Sequence, residues 1–123
     1  MRQTAWLGLM ALLAGCAAPG RETTQASTEL TAGVISTTST GAMTDCLLDG
    51  FGKAHWLMTN TRVAQQHRSD GSRVETYTGN ILLVSADVKD DGHVALIEMS
   101  NAKFVSTSGE REAFATCLAK YKQ

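Results

Sequence analysis

Three cysteines, three histidines and a scatter of carboxylates hold most of the chemistry open to this 123-residue chain. Cys16, Cys46 and Cys117 are an odd number of thiols, and no Cys-x-x-Cys pair is present to suggest dithiol exchange. His55, His67 and His93 could each offer a neutral imidazole to a metal, but they fall in separate segments without a short ligand spacing. They read as dispersed surface or sheet-rim residues. The stretch "DVKDDGHVALIE" places Asp87, Asp91, Gly92 and Glu98 where a calcium-binding EF-hand loop has its first, fifth, sixth and twelfth residues. Lys89 stands where the third residue should supply an oxygen, and the flanks read as strands, so a polar β-turn is the better account. "GFGK" (50–53) lacks the spacing of a phosphate-binding loop. No Gly-x-Ser-x-Gly elbow occurs, and Asp45 and Asp49, four apart, read as a solvated helix face. No catalytic set, metal site or cofactor site emerges, and the expectation is a protein that is not an enzyme.

Cys16 belongs to a different pattern. It closes "LGLMALLAGCAAPG", whose apolar run is about half as long as a bilayer-spanning helix. Arg2 precedes the run and small residues follow it, which is the layout of a secretory signal. Leu13-Ala14-Gly15-Cys16 resembles the lipobox of bacterial lipoproteins, a match confined to the first sixteen residues. The resemblance implies a diacylglycerol on the Cys16 thiol, removal of residues 1–15 as a signal peptide, and acylation of the new amine. Anchoring by more than one acyl chain is stable where a single chain is marginal. Ala17 after the cysteine implies sorting to the outer membrane, facing the periplasm. The membrane is then the first partner, reached through lipid.

If Cys16 carries lipid, Cys46 and Cys117 are left as a pair in a compartment that permits disulfides. A bridge across so long a loop would contribute about 4 kcal/mol in the chain-entropy model. Two separate buried thiols are the alternative.

The chain carries 11 basic and 12 acidic side chains, net −1. Loss of the signal removes only Arg2 among these, so no basic footprint for nucleic acid is left. From Pro19 to Gly41 the chain is rich in Ser and Thr and has no aromatic residue. Residues 16–41 therefore read as a lipidated cysteine followed by a flexible tether, although "TAGVIS" (31–36) could add a strand at a sheet edge. A domain is expected over residues 42–123.

Within that domain Met43, Cys46, Leu47, Leu48 and Phe51 recur at helical spacing, with Ser39 or Thr40 to cap the start and Gly50 or Gly52 to end the helix. Thr107 and Glu110 form a capping box ahead of a second stripe, Ala113, Phe114, Cys117, Leu118 and Tyr121. Both remaining cysteines share the core face of their helices. Strands are expected at 62–68, 72–78, 81–88 and 93–99, the last with Lys103-Phe104-Val105 as an optional continuation, separated by Asp70-Gly71, Gly79-Asn80 and "KDDG". The sheet should be half wet, with Arg73, Glu75 and Thr76 among the apolar positions of 72–78. Trp56 and Tyr77 suit a core or a partner contact.

The expected fold is α+β: an antiparallel meander of three to five strands with an N-terminal and a C-terminal helix on one face, joined by a disulfide. The expected role is binding of an envelope protein or a cell-wall partner near the membrane, without catalysis. The alternative is a small periplasmic ligand-binding or hydrolytic domain that uses a cleft between helix and sheet.

Overall fold

The computed structural model describes residues 26–55, 60–100, 102 and 105–123. The signal, the lipobox with Cys16, and Trp56 lie outside them. The elements run β1 (Ser27–Val34), α1 (Thr40–Ala54), β2 (Thr61–Arg68), β3 (Gly71–Thr78), β4 (Ile81–Lys89), β5 (His93–Met99) and α2 (Ser108–Tyr121). One antiparallel sheet carries all five strands in the order β1-β5-β4-β3-β2. Both helices pack on one face, so the α+β arrangement expected from the sequence is the one observed. Among the described residues no helix is long and apolar enough to cross a membrane.

The ordered domain begins earlier than residue 42. Part of the segment expected to be tether is β1, which pairs with β5 from Ser27 opposite Met99 to Val34 opposite His93. The register shifts between Glu29 and Thr31, which leaves Leu30 as a bulge packed against the core. Ile35 follows, 1% exposed, with its N–H donating to Gly92 O at 2.8 Å. The segment's apolar residues are few, but Leu30 and Ile35 reach the core, and its threonines suit an edge strand.

Ser36 caps a single 3-10 turn (Thr37–Ser39) by accepting the Thr38 N–H, and α1 grows directly from it. Met43, Leu47 and Phe51 bury one face of α1 against the sheet, and Phe114 does the same from α2. Each such side chain contributes roughly 1.5–3 kcal/mol by leaving water. They meet Val74, Val84, Ala86, Val88, Val94 and Leu96 from the three inner strands. A second register shift, at Thr76/Tyr77, sends Leu83 into the same core.

α1 does not stop at Gly50 or Gly52 but continues to Ala54. Gly50 serves packing: a Cβ there would stand 2.7 Å from the Ala113 Cβ, and one on Gly109 would stand 2.8 Å from the Ala54 Cβ. The antiparallel helices therefore touch through small residues, Gly50 on Ala113 and Ala54 on Gly109. The turn between β4 and β5 needs its glycine for a different reason. Gly92 has φ 93°, and a Cβ there would meet Ile35 O at 2.3 Å.

Candidate functional site

Cys46 and Cys117 form the disulfide that joins α1 to α2, with their Cα atoms 5.9 Å apart. It closes the helix seam at the end where α1 begins and α2 ends. At the other end His55 Nε2 lies 2.7 Å from Glu110 Oε1, with the side chains 8% and 0% exposed. The approach is off a good hydrogen-bonding direction, and both Glu110 oxygens lack a hydrogen-bond partner among the described residues. Glu110 is therefore not the reciprocal half of a capping box. Thr107 makes no side-chain cap to α2 either; its hydroxyl donates to Glu98 on β5, which also accepts from Arg111 at 2.7 Å.

The other residues with chemical potential are spread out. His93 Nδ1 lies 3.0 Å from Asp91 on an exposed turn, whereas His67 is exposed on β2 opposite Ser72. Asp87 and Glu98, the two ends of the loop that mimics a calcium site, point to opposite faces of the sheet and cannot share an ion. No group of three His, Cys, Asp or Glu is placed to hold a metal among the described residues. Asp49 pairs with Lys53 at 3.0 Å, both well exposed. Asp45, Gln65, His67, Ser72 and Asp90 line a cleft of about 270 Å³ between the start of α1 and the sheet.

The most organised chemistry is on the face of the sheet opposite the helices. The strand register aligns Ala32, Ala95, Asp87, Arg73 and Gln66 in one row across all five strands. Glu29, Ile97, Ser85, Glu75 and Ala64 form the next row. The β4-to-β2 side is polar. Arg73 Nε donates to Asp87 Oδ1 at 2.9 Å, and the Arg62 guanidinium lies 4.3 Å above the centre of the Tyr77 ring. Burial raises the Tyr77 pKa above its ordinary value of 10.0, and the charge of Glu75 and a hydrogen bond to it push the same way. Arg62 and Arg73 oppose them.

This face is not wet in the way the sequence suggests. Arg73 is 6% exposed and Glu75 1%, while Thr76, which faces the helices, is fully buried. Charged side chains in neighbouring rows shield one another, so long polar residues close over the strands instead of standing free in water. The β1–β5 side of the face is small and apolar. Ala32, Ala95 and Ile97 floor an open groove of about 440 Å³, edged by Glu29, Asp87 and His93.

Protein-family models, curated proteins and solved structures give no match to this chain. Function must be read from the surface alone. The face provides charged side chains, donors and acceptors beside a shallow small-residue floor.

Sequence reading missed both constellations. Arg73, Glu75 and Tyr77 alternate along one strand, but their partners Asp87 and Arg62 are set by register. His55 and Glu110 are joined only when the helices pack.

Proposed function

We propose that this chain is a bacterial envelope lipoprotein, held by acylated Cys16 to the periplasmic face of the outer membrane. Its disulfide-stapled domain binds an envelope protein or a cell-wall component without catalysis. The lipobox resemblance at Leu13–Cys16 supports the anchor. The observation that carries the binding role is the pair of cross-sheet rows: a fixed polar half, Arg73–Asp87 with Glu75 and Tyr77, beside the Ala32–Ala95 groove.

Cells grown with labelled palmitate should label the wild-type protein and not Cys16→Ser; label retained in the variant contradicts the anchor. A photo-crosslinking residue at Ala32 or Ala95 should capture a partner in intact cells that the same residue at exposed Ala115 does not. Equal capture at all three positions contradicts the binding face.

The cleft bearing His67, Ser72, Asp45 and Asp90 supports a second reading, a small ligand-binding or hydrolytic domain. In that case His67→Ala would abolish a cellular function that Ala95→Arg leaves intact. The binding-face reading requires the opposite result.

A further inference from the structure

The disulfide that ties α1 to α2 has two unequal sulfurs. Cys117 is 2% exposed and belongs to the core, whereas Cys46 is half-buried and packs against that core from its margin. Both line a groove of about 410 Å³ that runs between the helices and takes no residue from the sheet. The bond is therefore reachable from outside, through one of its ends.

The neighbouring residues keep that approach open. Cys46, Gly50 and Ala54 follow one another at four-residue steps on α1, as Gly109, Ala113 and Cys117 do on α2, so each trio forms one stripe. Beside the disulfide the floor of the groove is Gly50 against Ala113, then Ala54 against Gly109. No side chain larger than a methyl group stands on that floor. The walls are Asp49 and Lys53 on α1 and Glu112 and Thr116 on α2. Lys53 bonds Asp49 along its own helix at 3.0 Å, and among the described residues no ion pair bridges the two walls.

Thiol–disulfide exchange requires a thiolate to reach one sulfur of the bond, so access decides which sulfur is attacked. We propose that Cys46 Sγ is a site of exchange with low-molecular-weight thiols, and that the folded domain takes up such a thiol through the groove as a mixed disulfide on Cys46. The incoming thiolate bonds to Cys46 Sγ as the Cys46–Cys117 bond breaks. The electron pair of that bond leaves on Cys117 Sγ, which takes up one proton in place of the one the incoming thiol gave to solvent. No oxidant or further reductant is consumed. The way back uses the same sulfur: Cys117 attacks Cys46 Sγ, releases the small thiolate and restores the bond. Its apolar enclosure favours the neutral thiol over the nucleophilic thiolate, so this return is slow and the Cys46 adduct accumulates. The adduct releases the covalent tie between the helices and leaves the His55–Glu110 end of the seam in place. Neither the lipid anchor nor the sheet face enters this inference.

The test incubates the full oxidised protein with reduced glutathione at neutral pH, quenches it in acid and maps the adducts by mass spectrometry. In the native protein the adduct should lie on Cys46 several-fold more often than on Cys117, at a rate that urea below the unfolding transition leaves unchanged. Equal modification of the two cysteines, or a rate that climbs with that urea in step with global unfolding, overturns the proposal. The preference should vanish in concentrated urea; a preference that persists there belongs to the local sequence and overturns the role of the groove. Single variants give a second reading, with native folding checked by circular dichroism. Cys117→Ala should be alkylated by iodoacetamide at Cys46 several-fold faster than Cys46→Ala is at Cys117. Equal rates in the two folded variants overturn the proposal, and the glutathione map of the parent protein decides it where a variant does not fold.

Discussion

His55 Nε2 and Glu110 Oε1 meet at 2.7 Å in the interior, at the end of the helix seam opposite the Cys46–Cys117 disulfide. Between these two closures the helices touch through Gly50, Ala54, Gly109 and Ala113. Small residues allow close approach but bring little apolar surface, so the seam depends on what closes its ends.

Removal of one partner of the buried pair leaves the other enclosed without compensation, which costs about 3–5 kcal/mol, whereas replacement of both by apolar side chains is often neutral. We expect His55→Ala to lower the urea midpoint strongly and His55→Leu/Glu110→Met to recover most of the loss. A double variant as unstable as the single one would show that the pair does more than fill space.

The disulfide closes a loop of 71 residues. Cys46→Ala/Cys117→Ala should lose up to about 4 kcal/mol, the chain-entropy value for a loop of that length. Equilibrium unfolding of the variant against the oxidised parent measures it. An unchanged midpoint would mean that the denatured chain is already constrained by other means.

Glu98 predicts a defined acid response. Hydrogen bonds from Arg111 and Thr107 hold its carboxyl below the ordinary glutamate value of 4.5. A carboxylate whose pKa is depressed by folding contributes stability above its unfolded pKa and loses it as pH falls through the folded one. Glu98→Gln should therefore cost about 1.5–3 kcal/mol at neutral pH, the range for hydrogen bonds to a charged group. The variant should also show a flatter stability profile below pH 4.5. Parallel acid limbs in the two proteins would contradict the assignment.

Gly92→Ala tests the junction of β1 with the β4–β5 turn. The added methyl must occupy a left-handed backbone and displace Ile35 O, which lies 2.3 Å from the built Cβ position. A loss of about 1–3 kcal/mol for the backbone alone is expected. Faster amide exchange at Ile35, whose N–H bonds Gly92 O, would accompany it.

Much of this fold is legible in the sequence because local rules act in the same direction. Asp70-Gly71, Gly79-Asn80 and "KDDG" mark the hairpins, and the strands fall within a residue of the expected bounds. The helical stripes around Cys46 and Cys117 place both thiols on facing surfaces. The misreadings share a cause: the deciding partner lies far along the chain. Gly50 resembles a helix stop until Ala113 arrives, Thr107 and Glu110 resemble a cap until Glu98 and His55 claim them, and Ser27–Val34 resembles a linker until β5 offers its edge. The polar sheet face is illegible for the same reason, since Arg73 and Asp87 are neighbours only through register.

The β1–β5 pairing also has a mechanical consequence. The chain leads toward Cys16 from one end of β1, while its last residue, Gln123, bonds Val34 at the other end. A force applied between Ser27 and the opposite end of the sheet would run along the strand, so the ladder from Ser27 to Val34 would bear it in shear. Its hydrogen bonds must then yield together, not one after another as in peeling. The residues that look most like slack are the ones that would carry the tension.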